Sequence, residues 1–237
     1  MTARGAIGLI ALPGGGEAQV QVSINRRARA IALKIDPTRR AAILVAPSER
    51  RVRDALRFAQ DRSDWIASRL AALPPAAPFV EGALVPVEGA PVRLERAEGR
   101  GPARWEGDRL IAPAAPERFA AAVRRALMAR ARATFALRLA AHAAALGRPA
   151  PPLTVKEMRS RWGSCAHDGR IALSWRLIAA PAFVIDYVCA HEAAHLDEMN
   201  HGPRFWAIVQ RLVGPHQAAR AWLKAHGPAL HALGAEA

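Results

Sequence analysis

The sequence predicts an α+β protein: a β-rich first half, then a helical half that carries a small sheet. Two observations lead there. Between residues 18 and 112, short apolar runs recur with Gly and Pro between them. From Pro116 onward, long alanine-rich and apolar stretches carry helical spacing, interrupted by only two short β-like runs. The chain has 237 residues, of which 51% are hydrophobic and 23% charged, so it can bury a real core. That usage excludes a disordered, collagen-like or disulfide-scaffold chain.

Ala18 to Ile24 alternates apolar and polar, as a half-buried strand does. Ala30–Ile35 and Ala41–Ala46 are the next two strands, with the basic turn Asn25-Arg26-Arg27-Ala28-Arg29 before the first of them. Pro47 ends the third strand, and Ser48 is placed as the N-cap of a helix. Its apolar positions Val52, Leu56, Ala59, Trp65, Ile66 and Leu70 predict one helix from Val52 to Leu73, stopped by Pro74-Pro75. A meander of short strands follows at 83–85, 92–94, 103–105 and 109–111.

Pro116 to Leu146 reads as one long helix, closed by Gly147 and Pro149. Leu153–Lys156 and Ile171–Ser174 are strands joined by a loop through Trp162-Gly163-Ser164-Cys165. Helices are expected at 181–199, 203–213 and 216–226. The organisation is read as a β-rich region, 1–113, and a second domain, 114–237.

Lysine plus arginine number 34 against 20 acidic residues, a net charge of +14 with pI near 11.5. That balance favours acidic partners and leaves weak, non-specific nucleic-acid binding open. It also fits plain enrichment in Ala and Arg. Two cysteines, Cys165 and Cys189, build no disulfide framework and suit a reducing compartment. The apolar stretch Ala6–Leu12 behind Arg4 is cut by Pro13-Gly14-Gly15-Gly16 too soon for a signal peptide. No run reaches the roughly 18 apolar residues of a spanning helix. A cytoplasmic protein with no membrane partner is expected.

The chemistry concentrates in His191-Glu192-Ala193-Ala194-His195, an H-E-x-x-H pattern on the helix expected at 181–199. Residues i and i+4 share a helix face, so both imidazoles can reach one metal ion. Glu192 lies about 100° round the helix. It suits a general base that deprotonates a metal-bound water. Read alone, the pattern also fits two surface histidines and a glutamate. The apolar flank Phe183-Val184-Ile185 and Tyr187-Val188-Cys189 argues for a buried element, where His-Glu-His without a metal is expensive.

A catalytic zinc usually takes three protein ligands and keeps one open position. After His195 the acidic residues are Asp197, Glu198 and the terminal Glu236, poor material for a distal glutamate ligand. His201 is the preferred third ligand and His216 the reserve. On a straight helix His201 would stand about 9 Å along the axis from His195, so the helix must end first. The breaking sequence Asn200-His201-Gly202-Pro203 predicts that end at Met199 or Asn200. Gly202 would take unusual backbone angles there, and Pro203 would open the next helix. Cys165 is a further, regulatory candidate ligand. His142, His167, His226 and His231 read as surface or packing residues.

Arg161-Trp162-Gly163-Ser164-Cys165, then Tyr187 to His195, then Asn200-His201-Gly202-Pro203-Arg204-Phe205-Trp206 resemble the YgjP-like metallopeptidase family, relatives of the SprT and WLM metalloproteases. The basic turn at Arg26–Arg29, the strand end Val45-Ala46-Pro47 and Trp65 extend the resemblance over roughly 18–228. Ala193 and Gly202-Pro203 depart from residues common in the family but touch no ligand. The resemblance implies a zincin-like catalytic half with an HExxH active-site helix, zinc on His191, His195 and His201, and Glu192 as general base.

The expected function is therefore a zinc-dependent metallopeptidase, a hydrolase acting on a peptide or protein substrate. A strand and turn just before the zinc helix, at the Arg161–Cys165 loop, can form the edge of the substrate cleft, with Arg161 or Ser164 stabilising an oxyanion. Equally, Trp162 and Cys165 can be core and Gly163 a tight turn. The alternative is a metal-dependent nucleotide hydrolase of the UTP type, also implied by relatives and favoured by the positive charge. The chain offers it no phosphate-binding G-x-x-x-x-G-K-[ST] loop and no carboxylate cluster for Mg2+. A third reading is a basic DNA-associated protein that keeps the metal site.

Overall fold

The computed structural model describes residues 7–235. Arg4, Ala6 and Glu236 lie outside them. The chain forms two compact units, one ending at Pro75 and the other spanning Ala76–Ala235.

The first unit is a four-stranded sheet of β1 (Ile7–Ala11), β2 (Glu17–Ile24), β3 (Ala32–Asp36) and β4 (Ala41–Ala46), in the order β1-β2-β4-β3. β2 and β4 run parallel, and the two edge strands are antiparallel to their neighbours. β1 was not expected. Pro13 to Gly16 is its hairpin turn, with Gly14, Gly15 and Gly16 all at φ between 81° and 96°, a region open to glycine. Ser48 caps only a single 3-10 turn, Glu49–Arg51, without a side-chain hydrogen bond.

The helix expected over 52–73 breaks into α1 (Val52–Gln60) and α2 (Ser63–Ala71). A straight helix of that length would run about 33 Å, whereas six-residue β4 spans about 20 Å. Folding back lets Ala55, Ala59 and Ile66 all reach the one core beneath Val20, Val22 and Leu44.

The second unit begins with a sheet of β5 (Leu84–Val87), β6 (Ala90–Ala97), β7 (Arg104–Glu106) and β8 (Arg109–Pro113), ordered β5-β6-β8-β7. The long helix α3 (Pro116–Ala145) follows. A three-stranded sheet comes next: β9 (Leu153–Lys156), β10 (Gly163–Cys165) and β11 (Ile171–Ser174), ordered β10-β11-β9. A 3-10 turn at Trp175–Ala179 leads to α4 (Ala182–Ala194), α5 (Pro203–Val213) and α6 (Gln217–Ala232). α6 continues past His226 through Pro228, further than its sequence suggests.

One apolar core joins Leu94 and Leu110 of the β5–β8 sheet to Leu127 and Phe135 of α3, Leu173 of β11 and Val184 of α4. That shared core is why the compact units divide at Pro75 and not at residue 113, where the composition shifts. Among the described residues, no helix is long and apolar enough to cross a membrane.

Candidate metal centre

α4 is apolar on nearly every side. Val184, Ile185, Tyr187, Val188, Cys189 and Ala190 are all buried, as expected for a helix in the middle of a core. Its last turn carries His191 and Glu192, and His195 is the C-cap residue. The helix thus ends at Ala194, earlier than the expected Met199 or Asn200. Capping bonds from Leu196 N to Ala193 O and from Glu198 N to Ala194 O turn the chain away. The His195 Nδ1–H donates to Glu198 O at 3.0 Å. A carbonyl only accepts, so this contact leaves the Nε2 lone pair of His195 available.

The loop after α4 returns His201 to the helix. Glu198 Oε1 accepts from Asn200 N at 3.1 Å, Asn200 O accepts from Gly202 N at 2.7 Å, and Trp206 Nε1 donates to His201 O at 3.1 Å. Gly202 is the N-cap of α5 at φ −82° and ψ −174°, ordinary extended backbone rather than the unusual angles expected of it. Pro203 does open α5.

The ligand-type nitrogens of His191, His195 and His201 lie within 4.8 Å of one another. Those of His191 and His201 are 3.0 Å apart. Three imidazoles holding one ion tetrahedrally at about 2.0–2.1 Å stand about 3.3–3.4 Å apart, close to the spacing of the His191–His201 pair. Phe205 floors the group, its ring centroid 4.8, 4.5 and 4.6 Å from those of His191, His195 and His201.

The electrostatics suit a cation. Burial pushes His191 down to about 3, helped by neighbouring His195, His201 and Arg220, and burial also lowers His195. The rings of His191 and His195 therefore stay neutral, the form that binds metal. The Glu192 carboxyl is buried, and its Oε2 has no hydrogen-bond partner. Burial pushes it up to about 7, opposed by the charge of Arg161. An orphaned buried carboxylate oxygen beside a cluster of imidazoles fits a metal site better than a packed core.

The other candidates fall as follows. His216 is buried apart from the three, its ring parallel to Tyr187 at 5.7 Å and to Trp206 at 5.2 Å. Ser164 is half-buried in β10, which is a strand and not the loop the sequence suggests. Arg161 is exposed on the approach to β10. The Cys165 thiol is pushed up to about 11 by burial and by the charges of Glu192 and Asp168, which works against a thiolate ligand. A cleft beyond β10 is lined by Ala166, His167, Gly169, His195, Leu196 and Met199.

One contact at the site was not foreseen, the approach of Glu192 to Gly163. A Cβ built on Gly163 would stand 2.6 Å from Glu192 Cγ and 2.7 Å from Cδ. No local signal announces that approach, because the partners lie far apart in sequence.

No curated protein and no solved structure is found to match the chain. The family described as "YgjP-like, metallopeptidase domain" matches residues 29–226, a span that holds the three histidines, Glu192 and the whole of β10. With most of its length inside that match, the chain belongs to the YgjP-like metallopeptidases.

Proposed function

We propose that the protein is a zinc peptidase whose metal is held by His191, His195 and His201 and whose general base is Glu192. The observation that carries this reading is the convergence of the three ligand-type nitrogens within 4.8 Å. Three imidazoles suit zinc, and no carboxylate belongs to the group. Zinc, when bound, supplies the Lewis acidity that polarises a scissile carbonyl and acidifies water.

The chain's own residues do the rest. Glu198 O orients His195, and Trp206 Nε1 holds the backbone of His201. Glu192 takes the proton of the attacking water and returns it to the leaving amine. Its raised pKa, near neutrality, suits both halves of that transfer. β10 is the edge of its sheet, so an extended peptide can pair with it by main-chain hydrogen bonds. Arg161 and Ser164 flank that edge and are assigned to the developing oxyanion.

The test is metal analysis of the purified protein, followed by a quenched-fluorescent peptide library with wild type and Glu192→Gln. Stoichiometric zinc and cleavage lost in the variant support the reading. Release of pyrophosphate from UTP with no peptide cleavage would favour the nucleotide hydrolase instead.

A nucleic-acid partner has its own support in the first unit. Ile24 pairs with Ala46, and Asn25 N donates to Ala46 O at 2.9 Å. The 25–29 turn and the 48–53 segment therefore leave the same end of the parallel pair. Arg26, Arg27, Arg29, Arg50 and Arg53 are exposed there. Such a cluster matches a phosphate backbone without reading its sequence.

A further inference from the structure

Gly163 sits at a point where a side chain has no room. The atoms that a Cβ would strike belong to Glu192, with Cγ at 2.6 Å and Cδ at 2.7 Å. Its φ is not among the positive values that demand glycine elsewhere in the chain, so backbone conformation does not explain the residue. The approach of Glu192 does.

The strand cannot easily retreat from such a contact. Gly163 pairs with Leu173 in the antiparallel register of β10 and β11. One residue earlier, Trp162 O accepts a hydrogen bond from Ser174 N at 2.8 Å. The Trp162 indole stacks on His231 with centroids 4.5 Å apart and packs over Gly227 of α6. On the other side, Glu192 is carried by the last turn of buried α4. Two anchored backbones thus face each other across one flexible group, the Glu192 side chain.

We infer that Gly163 is a positioning residue: its bare Cα forms the wall against which the Glu192 carboxylate is set, and any side chain at 163 turns that carboxylate out of place. The inference rests on the proposed role of Glu192 only for its effect on turnover; the coupling between the two positions is a matter of packing alone.

The experiment is a double-mutant cycle of Gly163→Ala and Glu192→Ala on the full chain, read by melting temperature, bound zinc and cleavage of the quenched-fluorescent peptide library. In the wild-type background, Gly163→Ala is expected to lower the melting temperature by roughly 3–10 °C, the cost of overpacking a fixed site. Bound zinc stays stoichiometric. kcat falls by about 10- to 100-fold, the effect of a misplacement of about 1 Å, with KM little changed. In the Glu192→Ala background the same substitution is expected to leave the melting temperature almost unmoved. That double variant folds even if Gly163→Ala alone does not.

Equal destabilisation in both backgrounds would overturn the inference, and so would full turnover in Gly163→Ala where Glu192→Gln is inactive. If Glu192→Gln kept its turnover, the general-base reading would fail while the thermal coupling stood. The two failures are therefore distinct.

Discussion

The ring nitrogens Nε2 of His191 and His201 lie 3.0 Å apart, although the residues stand on opposite sides of a helix end. On a continued helix they could not meet. The early stop of α4 at Ala194 and the return loop pinned by Trp206 Nε1 on His201 O bring them together. The geometry of the histidine cluster depends on where a helix ends as much as on what it carries.

His201→Ala is expected to strip most of the bound zinc, and His216→Ala to leave it near one per chain. His216 belongs to the parallel stack with Tyr187 and Trp206. Elemental analysis of freshly purified variants checks this. Equal zinc loss in both would return His216 to the ligand set.

Glu192→Gln should retain zinc and the wild-type circular dichroism spectrum while losing at least about 10²-fold in rate, the usual range for a missing general base. Steady-state cleavage of one identified peptide decides it. Unchanged turnover means that another group moves the proton.

The pH dependence of the metal-free protein follows from the same carboxyl. Burial raises the folded pKa of Glu192 to about 7 from an ordinary 4.5. Its contribution to stability is therefore complete below the unfolded value and is lost as pH rises toward 7. Glu192→Gln should stabilise the metal-free protein at pH 8 by on the order of 2–3 kcal/mol relative to wild type and leave it unchanged at pH 4. Chelator-treated samples in denaturant titrations at both pH values measure this. His191 works in the other direction. Its pKa is lowered to about 3, mainly by burial, so wild type loses stability as pH falls below 6.5.

Arg176 is 1% exposed, donates from Nε to Leu233 O at 3.1 Å, and pairs with Glu157, whose second oxygen accepts from Trp175 Nε1 at 3.0 Å. Glu157→Ala strands the buried guanidinium and should cost about 3 kcal/mol. That is the low end of the usual range, because the Glu157 side chain is 37% exposed. Arg176→Met, which replaces the charge with apolar volume, should cost less. Thermal melts that reverse this order would show that the ion pair is not what matters there.

Replacing Arg26, Arg27, Arg29 and Arg50 with Gln should weaken binding to a short DNA duplex. It should also flatten the salt dependence by up to about 0.9 in log K against log salt for each phosphate left without its arginine. Four substitutions at exposed Arg118, Arg125, Arg132 and Arg211 are the control. Equal weakening from both sets would make the binding a property of net charge and not of that surface.

Local physics made part of this protein legible from sequence. The i, i+4 spacing of His191 and His195 needs only a helix, and an apolar flank announces that helix. Alternation identified β2, an apolar run ended by Pro47 identified β4, and Pro and Gly punctuated the meander at 84–113 and opened α5 at Pro203. The choice of His201 over His216 rested on a breaking sequence, and zinc retention in the two variants tests it.

Contacts between distant residues decided the rest. β1 is a strand because β2 offers it a partner, and the helix at 52–71 breaks because its core is shorter than its periodicity. The unit boundary moved to Pro75 because Leu94 and Leu110 found their apolar neighbours on α3. α4 stops at Ala194 while the breaking residues lie further on, since capping bonds back to Ala193 and Ala194 compete with another turn of helix. Gly163 is bare because Glu192 presses on it. Periodicity and propensity record what one segment prefers. They carry no information about which surface it meets, and burial against that surface is the larger energy.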